Sequence, residues 1–146
     1  MLLTGKYDSL FVGIDISRDL IKIATRLAKK FNFSERLQYI VSDLEFLPFR
    51  KKSFECVLST AVLEHVFNLH IAIKEIARVS KKKKYTLITL PNSAFQKIFQ
   101  ILAILRLRYR DSVYNSSLKL EELEKKMIRN KLIPIFKLNF VLPFPR

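Results

Sequence analysis

A short apolar run, Leu10 to Ile14, closes on Asp15 and passes at once into a helix signal. Ser17 stands where an N-cap is wanted, and Asp19 places a negative charge in the first turn. Leu20, Ile23, Ala24, Leu27, Ala28 and Phe31 recur at helical spacing, so Ser17 to Phe31 reads as an amphipathic helix. A buried strand passing straight into an amphipathic helix is the first unit of an alternation that, sustained along the chain, argues for a layered α/β design.

The rest of the sequence repeats the alternation. Leu37 to Val41 reads as a second strand ending in Ser42-Asp43-Leu44, and Pro48 with Arg50-Lys51-Lys52-Ser53 as a loop. Phe54 to Ser59 is apolar enough at its centre for a strand covered on both faces. Asn68 is placed to cap a second helix marked by Leu69, Ala72, Ile73, Ile76 and Ala77. Lys81 to Lys84 reads as a turn before the strand Tyr85 to Leu90, which Pro91-Asn92 stops. Ser93 is placed to cap a further helix, read from Phe95, Ile98, Phe99 and Leu102, with arginines at 106, 108 and 110. Leu120, Leu123 and Met127 mark a last helix ending near Asn130, placed for the left-handed C′ position. Ile133 to Val141, with Pro134, reads as an edge or terminal strand.

Residues 1–146 therefore read as a single domain with a mainly parallel sheet and helices on both faces. The lone Cys56 excludes an internal disulfide, offers no metal-ligand spacing, and in its apolar run reads as an inert core thiol. With no signal peptide and no apolar run near the roughly 18 residues of a membrane span, the expected location is cytoplasmic. The net charge of +14 comes from lysines scattered through every segment. It reads first as solvated faces, and second as attraction for an anionic substrate or surface. Only Gly5 and Gly13 occur, so Asn and Lys must fill left-handed backbone positions at some conformational cost.

Parallel strands joined by right-handed crossovers place their C-termini on one edge, where ligands bind in such sheets. Asp15, Asp43 and Ser59-Thr60-Ala61 all gather there. Asp15 can accept from the two hydroxyls of a ribose and Asp43 from the amine of a base, with Leu44 against the base's flat face. Asp is also common at strand ends for local structural reasons.

Several segments resemble the class I S-adenosylmethionine-dependent methyltransferases. V-G-I-D-I-S (Val12 to Ser17) resembles their second strand with its ribose-binding acid, and S-D-L-E-F-L-P-F (Ser42 to Phe49) their adenine-contacting segment. F-E-C-V-L-S-T-A-V-L-E-H-V (Phe54 to Val66) is similar to their fourth strand and the Leu-Glu-His beyond it. Ala72 to Ser80, Leu87 to Asn92 and Lys119 to Leu123 extend the match. The resemblance implies a Rossmann-like methyltransferase sandwich with S-adenosylmethionine as cofactor and a methyl acceptor of unknown class. It implies Asp15 at the ribose, Ile16 near the adenine, Asp43 at the adenine amine and Leu44 on the ring. Ser59 would lie beside the methionine portion, and Glu64 and His65 near the acceptor. His65 is then the candidate general base. No metal is implied.

The family's first strand and Gly-x-Gly-x-Gly turn have no counterpart before Asp15, so the expectation is an N-terminally truncated domain whose gap a partner chain covers. Two other readings stay open: a non-catalytic methyltransferase-like interaction subunit, and a basic binder of nucleic acid or a membrane surface.

Overall fold

The computed structural model describes residues 9–90, 118 and 120–138. The expected helix from Phe95 and the arginines that follow it lie outside them. The chain divides into two compact units, residues 1–49 and 50–146.

In the first unit, β1 (Phe11–Asp15) and β2 (Leu37–Val41) flank α1 (Arg18–Lys30). The strands are parallel, in register from Phe11↔Leu37 to Asp15↔Val41. Ser17 caps α1 as expected, its Oγ accepting from the Leu20 N–H at 3.3 Å. The helix ends in a Schellman motif: the Phe33 N–H donates to the Ala28 carbonyl, the Asn32 N–H to that of Lys29, and Asn32 takes φ 58°. Ala28 is the one buried residue of α1, while Leu20, Ile23, Leu27 and Phe31 stay about half exposed.

Gly13 owes its place to its neighbour across the ladder. A Cβ there would come within 2.7 Å of the Tyr39 ring. Gly13→Ala is therefore expected to cost about 1–3 kcal/mol in chemical denaturation, through displacement of that ring. Truncating Tyr39 to Ala in the same chain should recover much of the loss; strictly additive costs would disprove the clash.

In the second unit, β3 (Phe54–Thr60) and β4 (Ser80–Thr89) are parallel and joined through α2 (Leu69–Val79); α3 (Leu120–Arg129) follows. Asn68 caps α2 as expected, its Oδ1 accepting from the N–H groups of His70 (3.1 Å) and Ile71 (3.2 Å). Ala72, Ile73, Ile76 and Val79 of α2 form the core with Leu123 of α3 and Leu63. The left-handed residue that closes α3 is Lys131 (φ 64°), one position beyond Asn130, whose side-chain amide instead donates to the Lys126 carbonyl. Residues 132–138 form no strand, so the expected final strand is not made over its described part. Pro134 has no N–H for a ladder, and Lys137 is instead drawn into an ion pair with Glu124.

Three further expectations are corrected. Lys81 to Lys84 is not a turn before the strand but a bulge within β4. The register runs Phe54↔Ser80 and then Cys56↔Tyr85, so four lysines stand opposite Glu55. Lys83 takes φ 56° to close the bulge, and Lys81 and Lys84 donate to the two Glu55 oxygens at 3.1 and 3.2 Å. Those bonds, Lys81's foremost, hold the Glu55 carboxyl below the usual carboxylate range. Cys56 is exposed rather than a core thiol. It shares a face with Leu58, which is 61% exposed, whereas Ser59 on the other face is 6% exposed. β3 is thus covered on one face, not two.

Candidate functional site

β1 and β2 bring Asp15 and Asp43 to the same end of their sheet. Asp15 is paired with Val41, and the Ser42 N–H donates to the Asp15 carbonyl at 3.0 Å, carrying the ladder one step further. Asp43 follows directly. The two carboxylates are held by the same device. Asp15 Oδ1 accepts from the Ser17 N–H at 2.7 Å, and Asp43 Oδ1 from the Glu45 N–H at 2.9 Å. Each is an Asx turn that fixes the side chain against its own loop. Among the described residues each Oδ2 is left without a hydrogen-bond partner. Local structure and ligand binding are therefore not alternatives at these acids, since one oxygen braces the loop and the other stays available. Ile16 is exposed beside Asp15, and Leu44 half-buried beside Asp43.

In the second unit, Ser59, Glu64 and His65 gather where β3 ends. Ala61, the first residue past the strand, takes φ 51°, and its N–H donates to the Thr89 carbonyl at 3.1 Å. A non-glycine residue in that region carries strain of a kind that concentrates at ligand loops. Nothing in the sequence distinguishes Ala61 from an ordinary residue, and sequence reasoning missed its conformation. Among the described residues, Ser59 Oγ is buried without a hydrogen-bond partner, and so are both Glu64 oxygens, in a residue only 2% exposed. His65 Nε2 stands 3.9 Å from Glu64 Oε1, within ion-pair range but beyond hydrogen-bonding distance. The imidazole is about half exposed.

A buried carboxylate without donors costs stability. Glu64→Met is accordingly expected to raise the free energy of unfolding near neutral pH by about 1–3 kcal/mol in a urea titration. A fall in stability would mean that the carboxylate has donors after all. Among the described residues, no group of three His, Cys, Asp or Glu side chains could hold a metal ion.

Residues 2–88 match the family described as "Methyltransferase domain", well over half of the chain. The chain belongs to that methyltransferase family. It is 33% identical over 92 residues to a ubiquinone biosynthesis O-methyltransferase of Pelagibacter ubique, covering 62% of this chain and 37% of that protein. To an ajmaline N-methyltransferase of Rauvolfia serpentina it is 33% identical over 75 residues, covering 51% and 26%. The methyltransferase-domain chain thus spans little more than a third, at most, of the length of these two relatives. A geranyl diphosphate C-methyltransferase from Streptomyces coelicolor, solved with S-adenosyl-L-homocysteine, superposes with a TM-score of 0.64 at 16% identity, over 85% of this chain and 44% of that one. That likeness establishes the fold, which is Rossmann-like, with the parallel strands and helices expected from the sequence.

Proposed function

We propose that these residues carry the adenosine-binding part of an S-adenosylmethionine-dependent methyltransferase. The observation that carries the reading is the pair of carboxylates at one sheet end, each braced through Oδ1 and each with Oδ2 available. Asp15 accepts from the ribose hydroxyls and Asp43 from the adenine amine, while Ile16 and Leu44 supply apolar surface to the ring. Family membership over residues 2–88 supports this assignment.

Bound S-adenosylmethionine supplies a methyl group activated by a positively charged sulfur. The residues fit its adenosine end well. The family resemblance assigns Ser59 to the methionine portion, and its buried Oγ, without a hydrogen-bond partner among the described residues, is a suitable hydrogen-bonding group. The sole described glycine, Gly13, lies inside β1 against Tyr39, so no glycine turn among the described residues contributes there. His65 takes the proton from an attacking hydroxyl or amine, with Glu64 Oε1 3.9 Å from its Nε2. Alignment of donor and acceptor carries most of the acceleration when the acceptor is already nucleophilic. The relatives are named for O-, N- and C-methylation, so the acceptor atom is left open.

On this reading residues 1–146 form part of one methyltransferase-like domain, and a partner chain covers the open edge of β1, whose one neighbour among the described residues is β2. No helix among the described residues is long and apolar enough to cross a membrane. We place the protein in the cytoplasm, a reading supported by its single unpaired cysteine. Calorimetric titration with S-adenosylmethionine and S-adenosylhomocysteine tests the assignment. Saturable binding of either supports it; a well-folded chain that binds neither leaves the non-catalytic interaction subunit.

A further inference from the structure

Two basic segments, remote in sequence, meet at one end of the second unit. β3 begins at Phe54 and β4 at Ser80, and these residues are paired across the ladder. Arg50, Lys51 and Lys52 lead into the first strand, and Lys81 to Lys84 bulge from the start of the second. The Lys52 N–H donates to the Arg78 carbonyl at 2.7 Å, which ties the first segment to the end of α2 just before β4. This is the end opposite to Ser59 and Thr60, where the strands run out.

The local charge is almost all of one sign. Seven cations occupy the two segments, and the carboxylate between them, Glu55, is already taken by Lys81 and Lys84. Arg78 is held by Glu75 through Nε at 2.6 Å. Arg50, Lys51, Lys52, Lys82 and Lys83 make no ion pair among the described residues.

Two of these lysines also occupy expensive backbone. Lys52 has φ 57° and Lys83 φ 56°. Glycine would sit at both positions without that strain, so lysine there is the less stable choice.

We propose that this end of the second unit docks on an anionic phospholipid surface. Lysine ammonium groups are compact, strongly hydrated charges that attract a charged plane without directional recognition. Six of the seven cations are lysines, and Arg50 alone carries the planar guanidinium fork favoured in nucleic-acid recognition. Tyr85, exposed beside the bulge, is the residue type that settles at the headgroup boundary. Docking by this end leaves the opposite, strand-C-terminal end of the same sheet open to small molecules.

Co-sedimentation of the full chain with vesicles of phosphatidylcholine alone, and of an equimolar mixture with phosphatidylserine, tests the proposal. Binding to the mixed vesicles only is expected, weakening as salt is raised. Replacing Lys51 and Lys82 by Ala together with Lys52 and Lys83 by Gly should lower partitioning by at least about tenfold. The Lys52→Gly/Lys83→Gly pair alone should raise the melting temperature while weakening vesicle binding. Replacing Lys29, Lys30, Lys74 and Lys125 by Ala removes the same charge elsewhere and should leave partitioning within about twofold of the parent. An equal loss in that control, no binding to the mixed vesicles, or preferential binding to random-sequence duplex DNA at the same salt would each overturn the proposal.

Discussion

Asp15→Ala is expected to weaken S-adenosylmethionine binding by about two orders of magnitude, the combined worth of two hydrogen bonds to a charged acceptor. The same carboxylate also accepts from the N–H of Ser17, the N-cap of α1, at 2.7 Å, so alanine removes a structural bond as well. Asp15→Asn separates the two roles. Its amide oxygen can still accept from Ser17, but it offers the ribose an NH2 in place of the second carboxylate oxygen. Calorimetry should therefore show both variants losing affinity, while circular dichroism melting shows destabilisation for alanine alone. If the asparagine variant binds as tightly as the parent, the ribose assignment fails. If both variants melt early, Asp15 acts on the fold first.

Ile76→Ala should be the costliest change to stability, at about 2–5 kcal/mol in urea denaturation. Ile73 and Ile76 are 0% exposed, and α2 packs against both β4 and α3. Truncation there leaves a cavity with atoms on every side. Leu20→Ala offers the contrast, because that side chain is 55% exposed and has little transfer energy to lose. Its cost should stay below about 1.5 kcal/mol. Equal costs at the two positions would mean that the apolar stripe of α1 is buried in solution.

The features legible in the sequence are those set by local chemistry. Ser17 and Asn68 announce their helices because an N-cap needs only its own side chain and the N–H groups two or three residues on. Leu37 to Val41 was legible as a strand through its composition and the turn residues that bound it. The two acids were legible as strand-end groups, but their Asx bracing was not, because an Asp at such a place can turn its carboxylate either way. Distant pairing hid more. The bulge at Lys81 to Lys84 depends on Ser80 finding Phe54, a choice of register that the lysine run itself does not encode. Cys56 was misplaced for a related reason, since an apolar run cannot say how many of its faces are covered. The scarcity of glycine did forecast Asn and Lys in left-handed positions, as Asn32, Lys52, Lys83 and Lys131 show. It gave no hint that Ala61 would join them.

The half-exposed stripe of α1 has a calorimetric consequence. Leu20, Ile23, Leu27 and Phe31 are already partly in water when the chain is folded. Unfolding exposes only their remaining half, so they add less than buried side chains would to the heat capacity of unfolding and to its denaturant slope. The first unit should therefore unfold over a broad range of urea for its length. A molecule that covered this stripe would sharpen the transition and raise the heat capacity change together, and a ligand bound only at the two acids would do neither.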